Sequence, residues 1–194
     1  MIERSPKARE IMANTRQLLT TGGYKNFSYA DLAERVGIRK ASIHHHFPGK
    51  EDLVKAVVQE YRAEAQAGME AMDQQIKDPL VKVKAYADYW SACIKDGTSP
   101  FCICVMLAVE LPTLPTDIAG EVTGHFSDLS GWLSSQLSAG EALGVFKLNE
   151  TAEVEAKALM AGIHGAMLAA RAFDNPAVFD QIAYPLINKV VKTA

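Results

Sequence analysis

Glycine and proline punctuate this chain at short intervals, and between them apolar residues recur every three or four positions. That rhythm constrains the fold most, because a period near 3.6 buries one stripe of a helix, whereas strands need a period of two. Ser5-Pro6 pairs an N-cap with proline at the first helical position, and Ala8, Ile11, Met12, Thr15, Leu18 and Leu19 follow at helical spacing. Gly22-Gly23 stops that helix. Ser28 and Asp31 have capping-box spacing ahead of Leu32, Ala33 and Val36, and Gly37 closes this second, short helix. A third begins near Arg39 and breaks at Pro48-Gly49.

The same signals divide the rest. Lys50 opens a long helix to about Lys77, and Asp78-Pro79 restarts the pattern through Lys95, where Asp96-Gly97 ends it. Ser99-Pro100 starts a helix running to about Leu111, and Pro112 and Pro115 form a rigid corner. Thr116 to Ala139 reads as helix, Gly140 to Asn149 as loop, and Thr151 to Phe173 and Asn175-Pro176 to Lys192 as the last two helices. The expectation is an all-α fold of about nine helices.

Composition narrows the setting. The longest apolar run, Phe101 to Val109, is too short to span a bilayer. The first residues, MIERSPKAREIM, lack the apolar stretch of a secretion signal, and three cysteines form no disulfide framework, so a cytoplasmic location is expected. The net charge is −3, but residues 1–60 hold ten Lys and Arg against seven Asp and Glu. A basic first part ahead of an acidic remainder suits contact with a polyanion through the first part alone.

Three short helices with a tight glycine turn between the second and third describe a helix-turn-helix. The stretch GGYKNFSYADLAERVGIRKASIHHHFPGKEDL resembles the DNA-binding segment of the TetR family of bacterial transcriptional regulators. Gly23-Tyr24, Ser28, Leu32-Ala33, Gly37-Ile38, Lys40, His46-Phe47 and Lys50-Glu51 carry the likeness, which covers roughly residues 5–65. Histidine stands at position 44, where the family usually has tyrosine, and Gly49 stands where it has serine. The resemblance implies a DNA-binding domain over 5–65, with its motif at about 28–47. It also implies an effector-binding and dimerisation bundle over 66–194.

The run His44-His45-His46 is resolved by helical geometry. At about 100° per residue, with Ile43 inward, Phe47 lies roughly 40° away and His46 and Lys40 roughly 60° to either side. Ser42 and His44 lie roughly 100° away, and Ala41 and His45 roughly 160°. Ile43 and Phe47 therefore anchor the third helix, and His46 leans inward as a hydrogen-bonded structural ring. Ala41, Ser42, His44 and His45 face outward to DNA. The three rings diverge, so no metal site is expected from them. Lys40 and Ser42 can donate to base edges or phosphate, and Lys50 opens a helix where phosphate can bind. The resemblance adds Ser28, Tyr29, Arg39 and Lys50 as phosphate-positioning residues on a palindromic double-stranded operator.

In the larger part, small residues crowd one helix: Ala158, Ala161, Gly162, Gly165, Ala166 and Ala169. Small side chains allow close helix approach, which a glycine's helix penalty of about 1 kcal/mol asks for. With Ile182, Leu186 and Val190 they fit a homodimer interface, and packing within one chain is the alternative. The stretch GTSPFCICVMLAVELPTLP is similar to a cysteine-containing subgroup of the same family, through Cys102, Leu107 and Glu110. Some regulators of that subgroup sense electrophiles or oxidants. Cys102 falls in the first turn after Pro100, where helix N–H groups favour a thiolate. Cys104 is expected on a different face, and Cys93 in the core. A noncovalent pocket for a small apolar effector has candidates in Tyr86, Tyr89, Trp90, Met106, His125, Phe126, Trp132, Met160, His164 and Met167.

The leading reading is a dimeric repressor released by a small-molecule or reactive effector, with no cofactor, no membrane partner and no enzymatic activity. The alternative is a Cys/His enzyme or redox protein in which Cys102 is paired with His125 or His164 as base.

Overall fold

A computed structural model describes residues 4–97 and 101–192. Nine α-helices run through them: α1 Pro6–Gly22, α2 Tyr29–Val36, α3 Lys40–His46, α4 Lys50–Gln75, α5 Pro79–Asp96, α6 Ile103–Glu110, α7 Thr116–Ala142, α8 Ala152–Ala172 and α9 Ala177–Val190. The all-α expectation stands. Besides the helices, a single 3₁₀ turn occupies Leu111–Thr113, and one isolated antiparallel bridge joins Phe146 and Val191.

Most helix starts follow the local chemistry read from the sequence. Ser5 Oγ accepts from the Ala8 amide, Asp78 Oδ1 from those of Leu80 and Val81, and Thr151 Oγ1 from that of Val154. Ser28 and Asp31 form the reciprocal capping box, with the Ser28 amide donating to Asp31 at 2.7 Å. The Ser28 hydroxyl and amide hold the Asp31 carboxyl below the usual carboxylate range. Gly37 closes α2 in the left-handed conformation, φ 69°, which any side chain there would strain.

Two boundaries differ from expectation. The expected start of α6, Ser99-Pro100, lies outside the described residues, and within them α6 is capped at Cys102 in an extended conformation. Gly140 does not begin a loop, because α7 continues to Ala142. Its missing side chain instead makes room for a ring: a Cβ there would sit 2.1 Å from Phe146 Cδ2. Phe146 is buried and cannot retreat freely. Gly140→Ala is therefore expected to destabilise the protein by about 1–3 kcal/mol through overpacking. Chemical denaturation read by circular dichroism checks this.

The chain divides into two compact units. One takes the chain up to Glu64 together with Cys102–His125; the other takes Ala65–Phe101 and everything from Phe126. The first unit is not continuous in sequence, since α6 and the first part of α7 sit with the N-terminal helices. Polar links within that unit account for this arrangement. Glu110, the last residue of α6, accepts from the Tyr24 amide at 2.6 Å and the Lys25 amide at 3.2 Å, in the loop between α1 and α2. Arg62 of α4 pairs with Glu121 of α7 at 3.1 Å, and Lys55 with Asp117 at 2.5 Å. Below these, Ile11, Leu19, Leu32, Ile43, Leu53, Leu107 and Ile118 are completely buried.

In the second unit α8 and α9 pack most closely. A Cβ on Gly162 would lie 2.5 Å from Leu186 Cδ1. Asp180 accepts from Ser91 at 2.6 Å and from Lys95 at 2.7 Å, fastening α9 to α5. Tyr184 donates to Asp88 at 2.5 Å, and its phenol is pushed up to about 12, first by burial and then by that carboxylate.

Candidate functional site

The faces of α3 divide as helical geometry requires. Ile43 and Phe47 are buried, with 0% and 2% of their surface exposed. Ala41, Ser42, His44 and His45 are exposed, as are Arg39 and Lys40 at the start of α3. His46 is half-buried, and its ring meets that of His45 edge-on at 5.3 Å.

His44 is partly committed. Its Nδ1 lies 2.9 Å from the Pro48 carbonyl, which can only accept, so the proton is on Nδ1. In the neutral ring Nε2 is then an acceptor, able to take an amino proton from adenine or cytosine. The ring also packs edge-on against Tyr29 at 4.8 Å.

Tyr29 corrects an expectation. It is 6% exposed, and its hydroxyl donates to the Gly49 carbonyl at 2.6 Å, with the Phe47 carbonyl at 3.1 Å. Burial pushes its phenol up. Tyr29 therefore holds the turn after α3 from behind and does not present itself to a phosphate. Lys50 is likewise held inward: its ammonium donates to the Phe27 carbonyl and sits 4.2 Å over the Phe27 ring and 4.6 Å over that of Tyr24. Burial lowers its pKa. The charge expected at the DNA surface thus ties the start of α4 to the loop before α2. Ser28 is exposed, but its hydroxyl is engaged by Asp31 at 2.8 Å. Arg39, Lys40 and Ser42 have exposed side chains, and His45 is exposed beside His46.

The effector candidates divide between the two units. In the first, Cys102 and Cys104 are completely buried and His125 is 5% exposed. Cys102 Sγ lies 3.8 Å from His125 Nε2. The expectation that Cys104 faces elsewhere fails, because Cys102 is an extended cap and not a helical residue. With that backbone both sulfurs lie within 4.8 Å of each other and of His125. The neighbouring Cys102 side chain, then burial, holds the Cys104 thiol well above its ordinary range. Met106 is half-buried.

In the second unit, Tyr86, Trp90, Trp132, His164 and Met167 are buried. Tyr86 and Trp132 rings meet at 6.2 Å, and Phe126 and His164 at 5.4 Å. The Trp90 indole N–H is buried without a hydrogen-bond partner among the described residues. Tyr89 does not belong to this set, being 54% exposed, and Met160 is half-buried at its margin. Of the dimerisation candidates, Gly162, Ala166 and Val190 are taken up by packing within the chain. Ala158, Ala161 and Gly165 are exposed on α8, Leu168 extends their row, and Ala169, Ile182 and Leu186 are half-buried. Glu110 carries no local sequence signal for its role, since its partners are the Tyr24 and Lys25 amides far back in the chain.

Known proteins resemble this arrangement. The family profile described as "Bacterial regulatory proteins, tetR family" matches residues 11–57. A crystal structure of a TetR-family transcriptional regulator from Agrobacterium tumefaciens is 47% identical, with 96% of this chain and 98% of that one covered and a TM-score of 0.93. The HTH-type transcriptional repressor DhaR of Mycobacterium sp. (strain GP1) is 22% identical over 92% of this chain and 89% of its own length. The reduced form of E. coli NemR shares the fold, with a TM-score of 0.80 at 18% identity over 96% and 98% of the two chains.

Proposed function

The chain belongs to the TetR family of bacterial transcriptional regulators, and from that premise we propose that it is a sequence-specific DNA-binding repressor acting as a homodimer on a palindromic operator. The outward face of α3 carries the reading: Ala41, Ser42 and His45 are exposed on a short helix that Ile43 and Phe47 clamp to the core. Ala41 permits close approach, and its methyl suits a thymine methyl. Ser42 and His45 supply polar groups for base edges, and Arg39 and Lys40 supply charge for the phosphates on either side. The relatives are regulators, which does not favour the enzyme alternative. Cys102 has a base within reach in His125, but its sulfur is fully buried from any substrate. Among the described residues, no helix is long and apolar enough to cross a membrane.

Lys40 and Ser42 test the assignment by contrast. Lys40→Ala is expected to weaken binding about equally on all sequences and to flatten the salt dependence by roughly one unit of log–log slope. Ser42→Ala and His45→Ala are expected to keep the slope and change the preferred base. Fluorescence-anisotropy titrations at several salt concentrations, on an operator and its single-base variants, read both quantities. Unchanged slope and unchanged preference across all three variants would refute the reading.

Release from DNA belongs, in this proposal, to a small apolar effector in the second unit. Tyr86, Phe126, Trp132 and Met167 offer the apolar walls, and the unpartnered Trp90 N–H asks for an acceptor atom on the ligand. An effector that binds the DNA-incompetent state more tightly must lose affinity when operator is present, by the same factor. Covalent modification of Cys102 is the other release route, and burial of its sulfur means the route requires local opening.

A further inference from the structure

Cys102, Cys104 and His125 each offer one ligand atom, and the three atoms lie within 4.8 Å of one another. Nothing in DNA binding or in an apolar effector pocket uses this grouping. Thiolate and imidazole are the donors that soft and borderline metal ions select. With metal–sulfur bonds of about 2.3 Å and metal–nitrogen bonds of about 2.0 Å, donors as far apart as this sulfur and nitrogen subtend roughly 120° at the ion. The observed 3.8 Å between Cys102 Sγ and His125 Nε2 therefore already suits a three-coordinate centre.

The surroundings hold the donors in place. The Tyr61 ring packs on the His125 imidazole at 5.3 Å, and the Arg16 guanidinium covers the Tyr61 ring at 4.8 Å. Gly124 precedes His125, and a Cβ there would lie 2.2 Å from Arg62 Nη1, so the guanidinium lies directly on the backbone beside the imidazole. Arg62 is paired there with Glu121 at 3.1 Å and Arg16 with Glu64 at 2.6 Å, which fixes both guanidiniums. Three donors among the described residues suit the low coordination number of Cu(I) better than the tetrahedral shell of Zn(II).

We infer that Cys102, Cys104 and His125 form a site for one thiophilic closed-shell metal ion, with Cu(I) preferred to Zn(II). Capture breaks two S–H bonds, forms two metal–sulfur bonds and one metal–nitrogen bond, and releases two protons with no electron transfer. Since both protons must leave, apparent affinity rises by up to about a hundredfold per pH unit while the thiols are protonated. The site stands independently of the DNA reading, and its test involves no operator.

The full-length reduced protein is titrated anaerobically with Cu(I) against a chromogenic Cu(I) chelator, and with Zn(II) against a zinc indicator. One Cu(I) per chain is expected, with affinity lowered at least about a hundredfold in Cys102→Ser and in Cys104→Ser. Cys93→Ser is expected to retain the full equivalent. Copper-edge X-ray absorption of the unmutated protein should show two sulfur and one nitrogen donors, which keeps the test valid even where a variant folds poorly. Full-affinity binding in Cys104→Ser, a first shell without two sulfurs, or Zn(II) held more tightly than Cu(I) would each overturn the inference.

Discussion

Gly165→Arg is expected to convert the protein into a folded monomer of 21.1 kDa that has lost its operator. Gly165 lies in α8 on an exposed row with Ala158, Ala161 and Leu168, and a Cβ on it would meet nothing within 4 Å. The chain itself therefore tolerates the substitution, and leaving glycine favours the helix by up to about 1 kcal/mol. A two-fold interface built on this row does not tolerate it, because each copy brings a guanidinium into a seam that needs close packing. Losing the second DNA head removes the linked half-site, worth about a hundredfold or more in affinity. Light scattering coupled to size exclusion reads the mass, and anisotropy reads the affinity. A persistent dimer with undiminished operator affinity would remove α8 from the proposed interface.

Phe47→Ala is expected to lower stability by about 3–5 kcal/mol and to abolish specific operator binding in the same protein. Phe47 caps the C-terminus of α3 with its ring 2% exposed, and the Arg4 guanidinium covers that ring at 5.2 Å. Truncation leaves a cavity behind a helix of only seven residues, too short to hold its pitch without tertiary packing. His45→Ala, on the opposite face of the same helix, should leave stability within about 0.5 kcal/mol. Denaturant melts of the two variants, with anisotropy on operator and on unrelated duplex, distinguish anchor from contact. Equal stability losses in both would mean that α3 is not clamped from behind.

Much of this architecture was legible because its signals are local. The Ser28–Asp31 box, the left-handed Gly37 and the 100° spacing of Ile43 and Phe47 each depend on residues within one or two turns. The face of α3 followed directly from them. What the sequence could not convey depends on distant partners. Lys50 looks like a surface charge until Tyr24 and Phe27 are seen beneath its ammonium. Tyr29 carries a phenol that DNA could use, but two carbonyls beyond α3 claim it. Gly140 reads as a breaker, and the Phe146 ring shows why a glycine stands there inside a helix. The cysteines misled for a different reason. Helical geometry separates positions two apart, and Cys102 is a cap with extended backbone.

The grip of Glu110 on the Tyr24 and Lys25 amides bears on how such regulators are recombined in the laboratory. A chimaera that transplants only the chain up to Glu64 onto a foreign bundle leaves those amides, and the basic partners of Asp117 and Glu121, without their native acceptors. The transferable module is discontinuous: it needs the Cys102–His125 stretch threaded into the recipient as well. Redesigning operator choice in this protein is better done by exchanging side chains on α3 than by cutting at the apparent domain boundary.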